Sequence, residues 1–94
     1  MIFDVSIDID AVEFIKTLND KSRRIIRNHL ETLAHDPFPG KGGDKELLKL
    51  RPGVKIYRFH IGRSFTAYYL IEGTTVFITE IMTIEQAHKK YKSL

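Results

Sequence analysis

The stretch "KLRPGVKIYRFHI", residues 49–61, decides how this chain is read. Successive side chains on a strand point to opposite faces, so residues two apart are neighbours on one surface. Tyr57, Phe59 and Ile61 therefore share a face that a core accepts. Arg58 and His60 project together from the reverse face, and Lys49 and Arg51 arrive just upstream. The plain explanation is a solvated outer face of a sheet. The sharper one is a cationic surface shaped for phosphate.

Downstream, "SFTAYYLI" (64–71) and "TVFITEIM" (75–82) are strand candidates rich in aromatic and β-branched residues. Gly62-Arg63 and Glu72-Gly73 occupy the connections, each short enough for a hairpin. Upstream, "IFDVSID" (2–8) alternates Phe3, Val5 and Ile7 against Ile2, Asp4 and Ser6, another strand. Asp10 with Glu13 resembles a capping box opening a helix through "AVEFIKTLN". Asp20 offers the next cap, and Ile25, Ile26, His29, Leu30 and Leu33 form a second helical stripe from Lys21 to about Ala34. "HDPFPGKGGDK" (35–45) reads as irregular, and "IEQAHKKYKSL" as a final helix with Thr83 as cap. The order is β-α-α-β-β-β-α: an α+β domain spanning 1–94. It predicts an antiparallel four-stranded sheet with the helical hairpin on one face. The other face is expected to stay open.

Composition narrows the function. The 94 residues are 43% hydrophobic and 29% charged, with no Cys, so disulfides and thiolate ligands are excluded. No apolar run approaches a membrane span and the N-terminus lacks secretory features, so the expected location is cytoplasmic. Residues 1–40 hold five Lys/Arg and seven Asp/Glu, whereas 41–94 hold ten and five. Seven of those ten fall in 41–63 against two acids, a local positive field that suits an anionic partner. "PGKGGDK" lacks the hydroxyl and context of a P-loop. His29, His35, His60 and His88 show no metal-ligand spacing, and Ser6, Ser22, Ser64 and Ser93 no nucleophile context. Neither metal nor cofactor is expected. RNA recognition gives the basic and aromatic residues a common purpose, because guanidinium groups grip phosphate and aromatic rings stack on unpaired bases.

The element order, K-L-R followed by Y-[basic]-x-[basic], a hairpin, the aromatic strand in "FTAYYLIEGTTVFITEI" and a C-terminal Tyr together resemble the RelE/ParE superfamily of toxin–antitoxin toxins. The resemblance covers nearly the whole chain and rests on combined order and spacing. It implies a RelE-like, microbial-ribonuclease-like fold and a ribosome-dependent mRNA endonuclease acting in the A site. It further implies a small RelB-like antitoxin that masks the basic face. Arg51 falls on the basic position after K-L, Arg58 on the first basic residue after the strand Tyr, and His60 on the second, where it would act as base. Tyr91 falls on the C-terminal Tyr that stacks on a base. Thr66 and Glu85 stand where the family carries Arg; outside the family's motif, Arg63 offers a displaced cation and His88 an acid. Lys49, Lys55, Lys89 and Lys90 complete the expected RNA contacts. The superfamily also contains ParE-type toxins, which act on DNA gyrase, and catalytically degenerate members.

Overall fold

The computed structural model describes residues 2–40 and 42–90. The element order is β1 (Asp4–Ile7), α1 (Ile9–Lys16), α2 (Asp20–Thr32), β2 (Lys45–Arg51), β3 (Val54–Ile61), β4 (Phe65–Glu72), β5 (Thr75–Thr83) and α3 (Ile84–Lys90). The α+β class and the helical hairpin are as the sequence predicts. The sheet, however, has five strands in the order β1-β5-β4-β3-β2. The added strand comes from the opening stretch itself. Residues 49–61 form no single strand but a hairpin that turns at Pro52-Gly53 and pairs Arg51 with Val54. Gly53 has φ +80°, the backbone a Pro-Gly type II turn needs at its second central position. The sheet is also mixed: β1 pairs parallel with β5, while the remaining pairings are antiparallel.

Both helix starts sit one or two residues earlier than expected. Asp8, rather than Asp10, caps α1 by accepting the Asp10 N–H, and Asn19, rather than Asp20, caps α2 by accepting from Ser22. Thr83 and Gln86 exchange reciprocal bonds at the start of α3, a capping box in the expected place. Each choice satisfies backbone donors that the first helical turn leaves orphaned.

The hairpin α1–α2 carries the chain across one face of the sheet. Ala11, Ile26, Leu30 and Leu33 pack there with Tyr57, Phe59, Ile61, Ala67, Tyr69, Val76 and Ile78. Tyr57 stacks on Tyr69 at 5.2 Å between ring centroids, 11° from parallel. The Tyr69 hydroxyl donates to the Pro37 carbonyl at 2.6 Å, tying the irregular stretch to the core. His29 belongs to this layer too: its Nδ1 bonds the Ile25 carbonyl and its ring lies against Phe59.

The reverse face is less open than expected. α3 folds back over it, and Ala87 joins Leu48, Tyr68, Met82 and Ile56 in a second, smaller apolar cluster. Among the described residues, no helix is long and apolar enough to cross a membrane.

Candidate functional site

Strand register builds a polar row across this reverse face. Glu46 on β2 pairs with Arg58 on β3, Arg58 with Tyr68 on β4, and Tyr68 with Glu80 on β5. His60 lies two residues from Arg58, on the same face, opposite Thr66. Lys90 of α3 ion-pairs with Glu80 and fastens the helix to the far end of the row.

At the centre, three donors converge on one carboxylate oxygen. Glu46 Oε1 accepts from Arg58 Nε at 2.9 Å and Nη2 at 2.6 Å, and meets His60 Nε2 at 3.2 Å. The Arg58 side chain is 24% exposed, against 44% for Glu46 and 42% for His60. Arg58 is thus held at the floor while its partners reach solvent. The hydrogen bond from Arg58 holds the Glu46 carboxyl below its usual range; burial pushes the other way and loses. Burial alone would ease the proton off Arg58, but the Glu46 bond and charge more than reverse this. Burial raises the Tyr68 phenol, and the adjacent Arg58 opposes part of that rise.

Arg58 and His60 are therefore brought together as the alternating pattern predicts. The other expected residues are dispersed. Arg63 is exposed in the β3–β4 turn, and Lys49 and Arg51 are exposed along the end of β2. Lys55 has the strand parity of Tyr57 and Phe59, which places it on the helix-bearing side of the sheet, away from Arg58. Lys89 and His88 are exposed on α3 beside Lys90. Tyr91 lies outside the described residues. Thr66 is 2% exposed, so this strand position is packed into the structure, and Glu85 is an exposed acid in the first turn of α3. Glu46 is the residue that the sequence reading missed. Among the described residues no group of three or more His, Asp or Glu is placed to hold a metal ion.

The arrangement is that of the RelE-like toxin fold. An archaeal RelE, solved in a RelE–RelB complex from Pyrococcus horikoshii OT3, superposes with a TM-score of 0.73 at 19% identity, over 88% of this chain and 96% of that one. YoeB from Staphylococcus aureus, solved as a dimer, gives 0.65 at 19% identity, covering 85% and 94%. The isolated E. coli RelE toxin gives 0.55 at 14% identity, covering 98% and 99%. No family model and no curated protein matches the sequence.

Proposed function

We propose that this chain is the toxin of a type II toxin–antitoxin pair, a cytoplasmic ribosome-dependent endoribonuclease held inactive by a RelB-like antitoxin. The observation that carries the reading is the part-exposed Glu46–Arg58–His60 cluster on the face of a RelE-like sheet opposite the helical hairpin. Ionised Glu46 is an acceptor only, so it takes the His60 Nε2–H and leaves the lone pair on Nδ1. That nitrogen would remove the proton of an RNA 2′-hydroxyl. The 2′-oxygen then bonds to phosphorus as the P–O5′ bond breaks, giving a 2′,3′-cyclic phosphate and a 5′-hydroxyl. Arg58 would stabilise the charge gathering on the phosphorane oxygens. His88 of α3 is assigned the proton for the departing 5′-oxygen, and Arg51, Arg63, Lys49 and Lys89 the flanking phosphates. Tyr91 retains the stacking role that the family resemblance gives it.

The antitoxin has a surface of its own. β1, α1 and α2 enclose a groove of about 740 Å³ with Phe3, Val5, Val12, Ile15 and Leu30 in its walls. Lys16, Arg23, Arg27 and His35 also line it and outnumber Asp4 and Glu31, so an amphipathic helix with acidic flanks would match it in shape and charge.

A second reading, a ParE-type toxin acting on gyrase or a non-cleaving relative, draws on Thr66 and Glu85, which put no cation where the superfamily has Arg. One experiment separates these readings. The parent, Arg58→Ala and His60→Ala are tested on programmed ribosomes for mRNA cleavage in the A site, with melting curves as a folding control. Removing either group should lower cleavage by about 10²–10⁴-fold while the fold persists. Parent protein that cuts no mRNA but provokes gyrase-linked DNA damage sinks the nuclease assignment.

A further inference from the structure

Phe77 is a solvent-exposed aromatic residue on the site's face that this mechanism leaves unexplained. It lies between Val76 and Ile78, both buried under the helices, so its own side chain points to the opposite side, where Arg58 stands. Despite its size it is 36% exposed. It opens onto a cleft of about 350 Å³ shared with Ser6, Asp8, Leu70, Glu72 and Thr79.

The position relative to Arg58 follows from the register. β5 and β3 flank β4, so they lie two strand spacings apart, ~10 Å in all. Phe77 pairs with Leu70, two residues along β4 from Tyr68, which is the partner of Arg58; that adds an offset of ~7 Å along the strands. The two side chains therefore root ~12 Å apart on one surface, a span of about one to two nucleotides of extended single strand. Leu70, half-buried, continues the apolar floor beside Phe77, while Ile56 packs against the second cluster with Tyr68 and Ala87.

We propose that Phe77 is a stacking platform for an unpaired base, one or two nucleotides from the phosphate held at Arg58. This rests on the nuclease reading above and adds base recognition to it. The cleft also sets a preference. Asp8 and Glu72 repel phosphate, which turns the base rather than the backbone towards Phe77. The Thr79 hydroxyl spends its proton on the Tyr68 carbonyl at 3.2 Å and presents only lone pairs. With Asp8, Glu72 and Thr79 as acceptors against the single hydroxyl donor of Ser6, the wall favours the exocyclic amines of adenine and cytosine over uracil, whose edge is flanked by two carbonyl oxygens.

The test uses short, unstructured oligoribonucleotides of adenosine and cytidine or of uridine alone, titrated at several salt concentrations. Phe77→Ala should weaken binding of the first probe by roughly 5- to 150-fold and leave the salt slope unchanged, since stacking releases no counterions. Phe77→Trp should bind at least as well as the parent. Arg58→Ala should flatten the salt slope, a different signature. If Phe77→Ala binds like the parent while Arg58→Ala binds weakly, the platform is wrong and the phosphate site stands. If the parent itself binds no RNA, even on ribosomes, the nuclease reading fails and the platform falls with it. If Phe77→Ala keeps its RNA affinity but loses a copurifying protein, the cleft is a protein-docking surface and the proposal is overturned. Parent-like melting of Phe77→Ala, expected for a third-exposed side chain, certifies the comparison.

Discussion

Replacing Glu46 with Ala removes the acceptor on which Arg58 and His60 converge. The three contacts to Oε1 are 2.6–3.2 Å long, and two of them come from one guanidinium. Hydrogen bonds to charged groups contribute ~1.5–3 kcal/mol when shielded, but Glu46 is 44% exposed and solvent screens the pair. The expected cost is therefore ~1 kcal/mol, which lowers Tm by about 4–8 °C for a domain of this size. Direction with pH is fixed by the depressed carboxyl, which the Arg58 hydrogen bond holds below its reference value of 4.5. The folded chain binds fewer protons than the unfolded chain in that range. Glu46 thus stabilises fully above the ordinary carboxylate range, and the contribution disappears as pH falls through the lowered folded value. Glu46→Gln, similar in shape and uncharged, should flatten that acid limb. A thermal-melting cycle of Glu46→Ala, Arg58→Ala and the double variant should show coupling of ~0.5–1 kcal/mol. Cleavage should fall alongside, by up to about 10²-fold, because His60 loses the partner that fixes its tautomer. Additive melting shifts together with parent-like cleavage would show that Glu46 neither anchors Arg58 nor positions His60.

Two further substitutions test the opposite layer. Tyr57→Ala removes a buried ring stacked on Tyr69 and should cost ~3–5 kcal/mol in melting or denaturant titration, far more than any change at Arg58. Tyr69→Phe strips a hydroxyl from a fully buried side chain and leaves the Pro37 carbonyl without that donor; a loss of ~1–3 kcal/mol is expected, and hydrogen exchange should rise in the stretch around Pro37.

The sequence made the central layer legible because its signals are local. Alternation in "YRFHI" predicts which residues enter the core, and Gly62 and Gly73 mark the two following turns, where both take positive φ. Thr83 announces a helix start, and in the structure Gln86 completes its capping box. What escaped depends on partners far apart in the chain. The parallel pairing of β1 with β5 joins segments about seventy residues apart and leaves no short-range pattern in either. The return of α3 over the sheet escaped for the same reason. The Pro52-Gly53 turn was present in the sequence as a strong turn dipeptide, yet the basic residues on both sides gave the stretch the look of one continuous strand.

Glu46 escaped for a subtler reason, and that reason explains why the site exists. A hairpin pivoting on Pro52-Gly53, with Arg51 opposite Val54, would in regular register set Glu46 opposite Phe59 and Leu47 opposite Arg58. The acid would then face the helix-covered core and a leucine would enter the polar row. An irregularity between Leu48 and Arg51 shifts the pairing by one residue, and a shift of one moves every side chain beyond it to the other face. Leu47 consequently packs with the main core, Leu48 with Tyr68 and Met82, and Glu46 meets Arg58. The adjacent pair Leu47-Leu48 makes sense only in a strand covered on both faces, which is what α3 and the helical hairpin together produce. The same bulge that reconciles this non-alternating segment with the sheet therefore delivers the carboxylate to Arg58 and His60. Core packing and site assembly are set by one local irregularity, so the site is expected to hold its geometry only while Leu47 and Leu48 keep their separate pockets.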